Sequence, residues 1–241
     1  GIFIVSTLIG ILASGISSQL DELRKGHSFV VESGHTLILG WSEKIFPIIS
    51  ELIIANENQK RPVIVILASK DKVEMEDEMK IKLPDTLNTR VICRSGSTID
   101  SNDLEIVNPQ EAKSIIILAE ENSDPDICVI KSILALTNNP ARKEEPYHIV
   151  AEISDHENRG VAEMIGSGEV TLVHTEDLIS RVIAQSCRQS GLSIVYTELL
   201  DFDGDEIYFH NESGLSGKSF KDTIMSYEDS TVIGLNRSDG R

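Results

Sequence analysis

The sequence predicts an α/β protein built on a doubly wound parallel sheet of the Rossmann type. Short apolar runs recur along the chain, and segments of helical periodicity or loop composition lie between them. The middle runs are almost continuous stretches of β-branched residues, as expected for strands that helices cover on both faces. Strands that alternate with helices favour a parallel sheet, because parallel neighbours are joined by crossover connections.

Six apolar runs are the predicted strands. They comprise residues 36–40, 62–68, 90–93, 114–119, 147–153 and 170–173. Three further segments carry apolar residues at helical spacing and are predicted helices, namely residues 44–56, 126–136 and 176–189. In a sheet of this kind, ligands bind at the carboxyl ends of the strands, near the point where the strand order reverses.

The composition limits the classes of partner. The 241 residues include 22 Lys and Arg against 39 Asp and Glu, which gives a net charge of −17. This acidity excludes a general nucleic-acid binder, because phosphate contacts need clustered Lys and Arg. Metal cations, small ligands and other proteins remain as candidate partners. The three cysteines are far apart and form no C-x-x-C pair, which favours a reducing compartment over a disulfide framework or structural zinc.

Residues 1–20 contain no ionisable side chain. A signal peptide would need a basic segment before the apolar run, and a soluble helix would need a polar face. We therefore expect residues 1–18 to be the end of a transmembrane helix, followed by a linker over residues 19–33. Arg24 and Lys25 lie where positive residues are found on the cytoplasmic side of a membrane. The expected location is thus a membrane, with the chain from about residue 21 facing the cytoplasm.

The turn after the first predicted strand departs from the G-x-G-x-x-G fingerprint of dinucleotide-binding proteins. Aligned on Gly40, the sequence reads GWSEKI, so one glycine of three is present. Ser42 adds a side chain where the backbone must approach the pyrophosphate, and Ile45 replaces the glycine that lets helix and strand pack closely. Asp71 follows the second strand slightly late for binding a ribose. Gly40, Trp41, Ser42 and Asp71 are therefore a weak, degenerate nucleotide site, and NAD is not the expected cofactor.

Carboxylates follow two neighbouring predicted strands. Glu120, Asp124 and Asp126 come after the fourth strand, while Glu152 and Asp155 flank the end of the fifth. The carboxyl ends of parallel strands meet at the same edge of the sheet, and Ca²⁺ prefers several oxygen ligands. These five residues are the candidate metal site, with Ca²⁺ as the ion. The alternative is that they are solvated loop residues and helix caps.

The residues after the last predicted helix are expected to form a β-hairpin. Residues 196–200 and 207–210 are predicted strands joined by an Asp-Gly turn. Acidic residues beginning at Asp201 follow the spacing of an EF-hand loop, but Glu206 stands where that loop needs glycine. An EF-hand is therefore not expected.

The chain resembles the CASTOR and POLLUX ion channels. Residues 23–26 and 34–42, which read LRKG and GHTLILGWS, are similar to the start of the cytoplasmic region in that family. Residues 91–97 resemble its third strand and the following loop, and residues 114–121 resemble its fourth strand. The likeness is co-linear from the apolar start to about residue 189 and is weaker afterwards.

The resemblance implies a tetrameric cation channel whose inner pore helices lead into domains that resemble those regulating potassium conductance, the RCK domains. These domains assemble into a gating ring. Residues 1–18 would then be the end of the pore-lining helix, and residues 34–192 the Rossmann-like RCK domain. Residues 215–220 and 232–237 are similar to the small C-terminal α+β lobe that follows RCK domains, so residues 193–241 are expected to be part of that lobe.

The expected function is the cytoplasmic gating region of a cation channel, which couples ion or ligand binding to pore opening. It is not expected to be an enzyme, because no catalytic constellation is visible in the sequence. The alternative is an NAD(H)-binding Rossmann protein or oxidoreductase with a degenerate fingerprint. A passive scaffold that only assembles subunits is a third hypothesis.

Overall fold

The computed structural model describes residues 26–120, 124–166, 168–203 and 207–235. The expected transmembrane segment at residues 1–18 lies outside the described residues, as does the first part of the expected linker. Within the described ranges, no helix combines the length and apolar character needed to cross a membrane.

The core of the fold is a six-stranded sheet in the order β3-β2-β1-β4-β5-β6, with every neighbouring pair parallel. The strands are β1 (Thr36–Leu39), β2 (Val63–Ala68), β3 (Arg90–Ser95), β4 (Ser114–Ile117), β5 (Ile149–Ile153) and β6 (Val170–His174). Each of the six predicted strands is therefore confirmed to within a few residues. The order is that of a doubly wound dinucleotide-binding fold, which reverses between β1 and β4.

Helices connect the strands and continue after the last one. They are α1 (Ile45–Ala55), α2 (Lys72–Lys82), α3 (Ser101–Ile106), α4 (Pro125–Thr137), α5 (His156–Gly166), α6 (Thr175–Arg188), α7 (Leu192–Leu200) and α8 (Phe220–Ile224). The three predicted helices correspond to α1, α4 and α6. Proline at the start of α4 fits the first helical position, where its missing N–H has no helical partner in any case.

Two apolar cores lie on opposite faces of the sheet, because successive side chains of a strand point to opposite sides. In β1, Leu37 and Leu39 belong to the core that includes Ile133 of α4. Ile38 belongs to the other core, which includes Ile49 of α1 and Met75 of α2. Burial on both faces explains why the strands are almost uniformly apolar, and it confirms the doubly wound architecture.

Gly40 ends β1 at the point where the strand order reverses. Its φ is +97°, and a Cβ added there would lie 2.6 Å from the carbonyl oxygen of Leu118. Its N–H donates to the Leu67 carbonyl oxygen at 2.9 Å, while the Leu118 N–H donates to the Leu39 carbonyl oxygen at 2.9 Å. The chain therefore needs glycine here both for its backbone conformation and for the close approach to the segment after β4.

The predicted hairpin after the sheet is wrong. Residues 196–200 lie in helix α7, and residues 207–210 have no regular secondary structure. The chain divides into two compact units, Gly1–Gly204 and Asp205–Arg241. The predicted start of a C-terminal lobe at residue 193 thus lies in α7 of the first unit. In the second unit, α8 begins after Ser219, whose side chain accepts a hydrogen bond from the Asp222 N–H.

We expect Gly40→Ala to lower the free energy of unfolding by about 2–4 kcal/mol, because the methyl group meets a carbonyl oxygen and the backbone is left-handed. Gly34→Ala is the matched control. Gly34 also has a positive φ of +68°, but an added Cβ there meets no atom within 4 Å, so its cost is about 1–2 kcal/mol of backbone strain. Urea denaturation of both variants measures the difference. Equal losses would contradict the close-approach role of Gly40.

Candidate functional site

A cleft of about 330 Å³ opens at the carboxyl ends of β1, β2 and β4, which is the point where the strand order reverses. This is where a doubly wound sheet binds ligands. The turn after β1, the segment after β2, helix α2 and the segment after β4 each contribute to it. Its lining consists of Trp41, Ser42, Glu43, Ser69, Lys70, Glu78 and Glu120.

Trp41 is the aromatic wall of the cleft. Its ring packs edge-on against Phe46 of α1, with the centroids 5.6 Å apart. The Lys70 ammonium lies 5.0 Å from the centre of the Trp41 ring and is paired with Glu78 of α2 at 2.6 Å. A cation over an indole face is attracted by the ring quadrupole, so a lysine of the chain itself is held against the aromatic wall.

Two polar side chains in the cleft lack a full set of partners. Ser42 is 5% exposed, and its hydroxyl makes no hydrogen bond. Burial raises the pKa of Glu120, and a backbone hydrogen bond from Ser69 opposes that rise. The other two lining carboxylates are neutralised, because Glu43 pairs with Lys82 of α2 and Glu78 pairs with Lys70.

The residues of the degenerate nucleotide site are only partly brought together. Gly40 lies next to Glu120, and Trp41 and Ser42 line the cleft. Asp71 instead caps α2, where its side chain accepts hydrogen bonds from the N–H groups of Val73 and Glu74. The assignment of these four residues to a nucleotide remains a prediction.

An ion pair crosses the carboxyl edge beside the cleft. Lys44, which directly precedes α1, pairs with Glu152 of β5. Glu152 is 5% exposed, and its second carboxylate oxygen accepts a hydrogen bond from the Ala119 N–H at 3.3 Å. A buried carboxylate needs such partners, because burying an unpaired charge is very costly. The pair therefore ties the turn after β1 to the ends of β4 and β5.

The five carboxylates of the candidate Ca²⁺ site have different surroundings. Glu120 lines the cleft, Glu152 is paired with Lys44, and Asp124 precedes α4. Asp155 accepts a hydrogen bond from the Glu157 N–H at the start of α5. In the described part of the chain, no group of three or more His, Cys, Asp or Glu side chains is arranged to hold a metal ion. The Ca²⁺ site remains a prediction.

Asp126 accepts hydrogen bonds from three donors. It accepts hydrogen bonds from the N–H groups of Ser154 (3.0 Å) and Asp155 (2.8 Å) and from the side-chain amide of Asn158 (3.0 Å). Burial alone would raise its pKa, but these hydrogen bonds and the neighbouring His174 lower the pKa overall. Asp126 thereby fastens the start of α4 to the turn between β5 and α5.

Lys44 and Lys70 are two residues of this edge that sequence patterns did not single out as functional. Lys44 and Glu152 are 108 positions apart, so no local pattern links them. The one usable signal was Glu152 itself, since a carboxylate inside a predicted buried strand requires a cationic partner. Lys70 directly follows β2, but its position over Trp41 depends on the approach of the turns after β1 and β2.

We expect Asp126→Asn to lower the free energy of unfolding by about 1.5–3 kcal/mol at neutral pH, because three donors lose a charged acceptor. The folded-state pKa of Asp126 is depressed, so its contribution is present above the unfolded-state value and is lost as the pH falls through the folded-state value. The difference between wild type and variant should therefore shrink toward acid pH in denaturant titrations. A difference that is constant from pH 7 to acid pH would contradict this role.

Two family models match the chain. The slowpoke-like RCK domain of calcium-activated potassium channels matches residues 25–140. The model described as Castor and Pollux, part of voltage-gated ion channel, matches residues 176–241. The two matches follow each other along the chain without overlap.

Curated relatives match nearly the whole chain. The probable ion channel CASTOR of Oryza sativa subsp. japonica is 36% identical over 237 residues, which is 98% of this chain and 26% of that protein. The probable ion channel POLLUX of Arabidopsis thaliana is 35% identical over 244 residues, which is 100% of this chain and 29% of that protein. The chain therefore spans between a quarter and a third of the length of these relatives.

Among solved structures, that of the human SLO3 gating ring is similar, with a TM-score of 0.47 and 21% identity over 79% of this chain and 32% of that chain. The fold described above is established by the strand order itself. The predicted resemblance is confirmed by the sequence matches: this chain is a relative of the CASTOR and POLLUX ion channels over the part of those proteins that it spans.

Proposed function

We propose that this chain is the cytoplasmic gating and regulatory region of a cation channel at a membrane, where it couples the binding of an ion or small ligand to pore opening. The relatives that match it over nearly its whole length are named ion channels. A regulatory region must bind a ligand and transmit the change to the pore through an assembly of subunits. The cleft at the carboxyl edge supports ligand binding, and an exposed apolar surface supports the assembly of subunits.

The observation that carries the proposal is an exposed apolar surface on α6 and α7, which we call the assembly surface. None of the residues of these two helices is buried. Leu178, Ile179 and Ile183 of α6 are at least half exposed, as are Ile194, Val195 and Leu200 of α7. Contiguous apolar side chains on two successive helices are typical of an interaction site.

A second copy of this chain is the partner that fits the assembly surface. Two charged side chains of α6, Asp177 and Arg181, form an ion pair with each other at 2.9 Å. The exposed apolar side chains of the assembly surface can contact another apolar surface. Two identical surfaces can cover each other across a twofold axis. Such a contact closes as a pair, so the tetrameric ring that the resemblance implies would need a second contact surface on each chain.

Ca²⁺ is the proposed regulating ion. The net charge of −17 favours cations near the chain. The ligands would come from the five candidate carboxylates of the carboxyl edge, with backbone or water oxygens completing the set. Because no three of these side chains are grouped to hold a metal ion in the described part of the chain, binding of the ion would require this edge to rearrange. A ligand shifts such a region between two shapes only if it binds one of them better.

We expect Ile183→Glu to shift the chain from oligomer to monomer, because it places a charge in the centre of the assembly surface. Sedimentation velocity over a range of concentrations measures the shift. The thermal midpoint of the monomer should change little, since Ile183 is exposed in the single chain.

Ala184→Glu is the matched control for this substitution. Ala184 is also exposed and directly follows Ile183, but it lies about 100° further around the helix. The substitution therefore adds the same charge away from the assembly surface. It should leave the oligomer intact. A wild-type chain that stays monomeric at every concentration, or an equal effect of both variants, would contradict assembly through this surface.

A further inference from the structure

The cleft described above is built to accept a positive charge. Among the described lining residues, three are glutamates and Lys70 is the single cation. Glu43 and Glu78 are neutralised by Lys82 and Lys70, respectively. The charge of Glu120 therefore has no counter-ion among the lining residues that the structure describes. A phosphate or carboxylate ligand would meet this charge, so anionic ligands are disfavoured.

A second observation at the same place points to a hydrogen-bonding ligand. Ser42 is more than nine-tenths buried, and its hydroxyl oxygen lacks a hydrogen-bond partner although the residue lines the cleft. Buried hydroxyl groups are normally bonded, and leaving one unpaired costs about 1–3 kcal/mol. A ligand that donates hydrogen bonds therefore suits the Ser42 oxygen and the Glu120 carboxylate, which both belong to residues that line the cleft.

Lys70 shows which chemical group the cleft holds. Its ammonium lies 5.0 Å from the centre of the Trp41 ring and 2.6 Å from a Glu78 carboxylate oxygen. An ammonium group near an aromatic face is attracted by the ring quadrupole, and a neighbouring carboxylate adds an ion pair. The chain thus places its own primary ammonium beside Trp41 and Glu78, whereas neither Ser42 nor Glu120 contacts an ammonium group among the described residues.

We propose that this cleft binds a small organic molecule bearing a primary ammonium group, with Glu120 as its counter-ion, Ser42 as a hydrogen-bond acceptor and Trp41 as the aromatic wall. The volume of about 330 Å³ is at the small end of ligand pockets, so the ligand is a compact amine. Lys70 competes with the ligand for the aromatic face. Regulation of a channel by this amine rests on the proposed function, whereas binding itself does not.

Trp41 makes the proposal directly testable, because it is the single tryptophan of the chain. Its fluorescence is recorded while 1,4-diaminobutane is added to the chain at constant ionic strength. The uncharged analogue 1,4-butanediol, which has the same carbon skeleton, is the matched control ligand. We expect a saturable change in emission with the diamine and none with the diol.

Variants then locate the site. Glu120→Gln is nearly isosteric and should weaken diamine binding about tenfold, the effect of losing one charge-assisted hydrogen bond. Lys70→Met should tighten binding, because it removes the competing ammonium from Trp41. Lys80→Met is the control, since Lys80 pairs with the exposed Asp77 on α2 and does not line the cleft.

The proposal is overturned if the diamine causes no saturable change, if the diol causes the same change, or if Glu120→Gln binds the diamine as tightly as wild type. None of these outcomes alters the oligomeric state of the chain, so they are distinguishable from a failure of the proposed assembly.

Discussion

The arrangement of the carboxyl edge depends on the ion pair between Lys44 and Glu152. Glu152 is almost completely buried at the end of β5, and a carboxylate in that position must be neutralised for the sheet to form. Removing Lys44 alone would leave an uncompensated buried charge, which is far more destabilising than the pair is stabilising. The pair holds the turn after β1 against the ends of β4 and β5, and so fixes which part of the edge remains open.

The open part is the cleft between the turns after β1 and β2. In a dinucleotide-binding sheet the ligand lies across the point where the strand order reverses, with its pyrophosphate at the start of the first helix. Here Lys44 occupies the position before that helix and is bonded across the reversal to β5. The same edge carries Ser42 in place of the second glycine of the fingerprint and three glutamates around the cleft. These features are the basis on which we propose a small cationic ligand here in place of NAD.

The ion pair also gives the proposed regulation a physical route. Glu152 is paired in register with Val173 of β6, and α6 begins two residues later at Thr175. A ligand that displaces the turn after β1 would act on Lys44, then on the strand that carries Glu152, and then on the helix that carries the assembly surface. Coupling of this kind requires two arrangements of the edge with different ligand affinities.

The sequence was sufficient to predict the strands of the sheet, but it was insufficient to predict the side-chain contacts at its carboxyl edge. The strands were predictable because burial on both faces demands uninterrupted apolar runs, and α1, α4 and α6 were predictable from their helical spacing. Residues 196–200 were wrongly predicted to be a strand. The segment YTELL is short, and its β-branched and aromatic residues fit a strand about as well as a helix. In the structure these residues belong to a helix that begins at Leu192. At the candidate site, Gly40, Trp41, Ser42 and Glu120 were identified from their places after strands. Lys44 and Lys70 were not, since their roles depend on partners distant in sequence or in a separate turn.

The most direct measurement is thermal unfolding of the chain with NADH and Ca²⁺ titrated separately, because a ligand that binds only the folded state must raise its stability. An ion-regulated domain whose reversal point is bridged by Lys44 and Glu152 should gain thermal stability with Ca²⁺ and show no change with NADH. A saturable rise of the unfolding midpoint with NADH would contradict this view of the carboxyl edge and restore the dinucleotide-binding alternative.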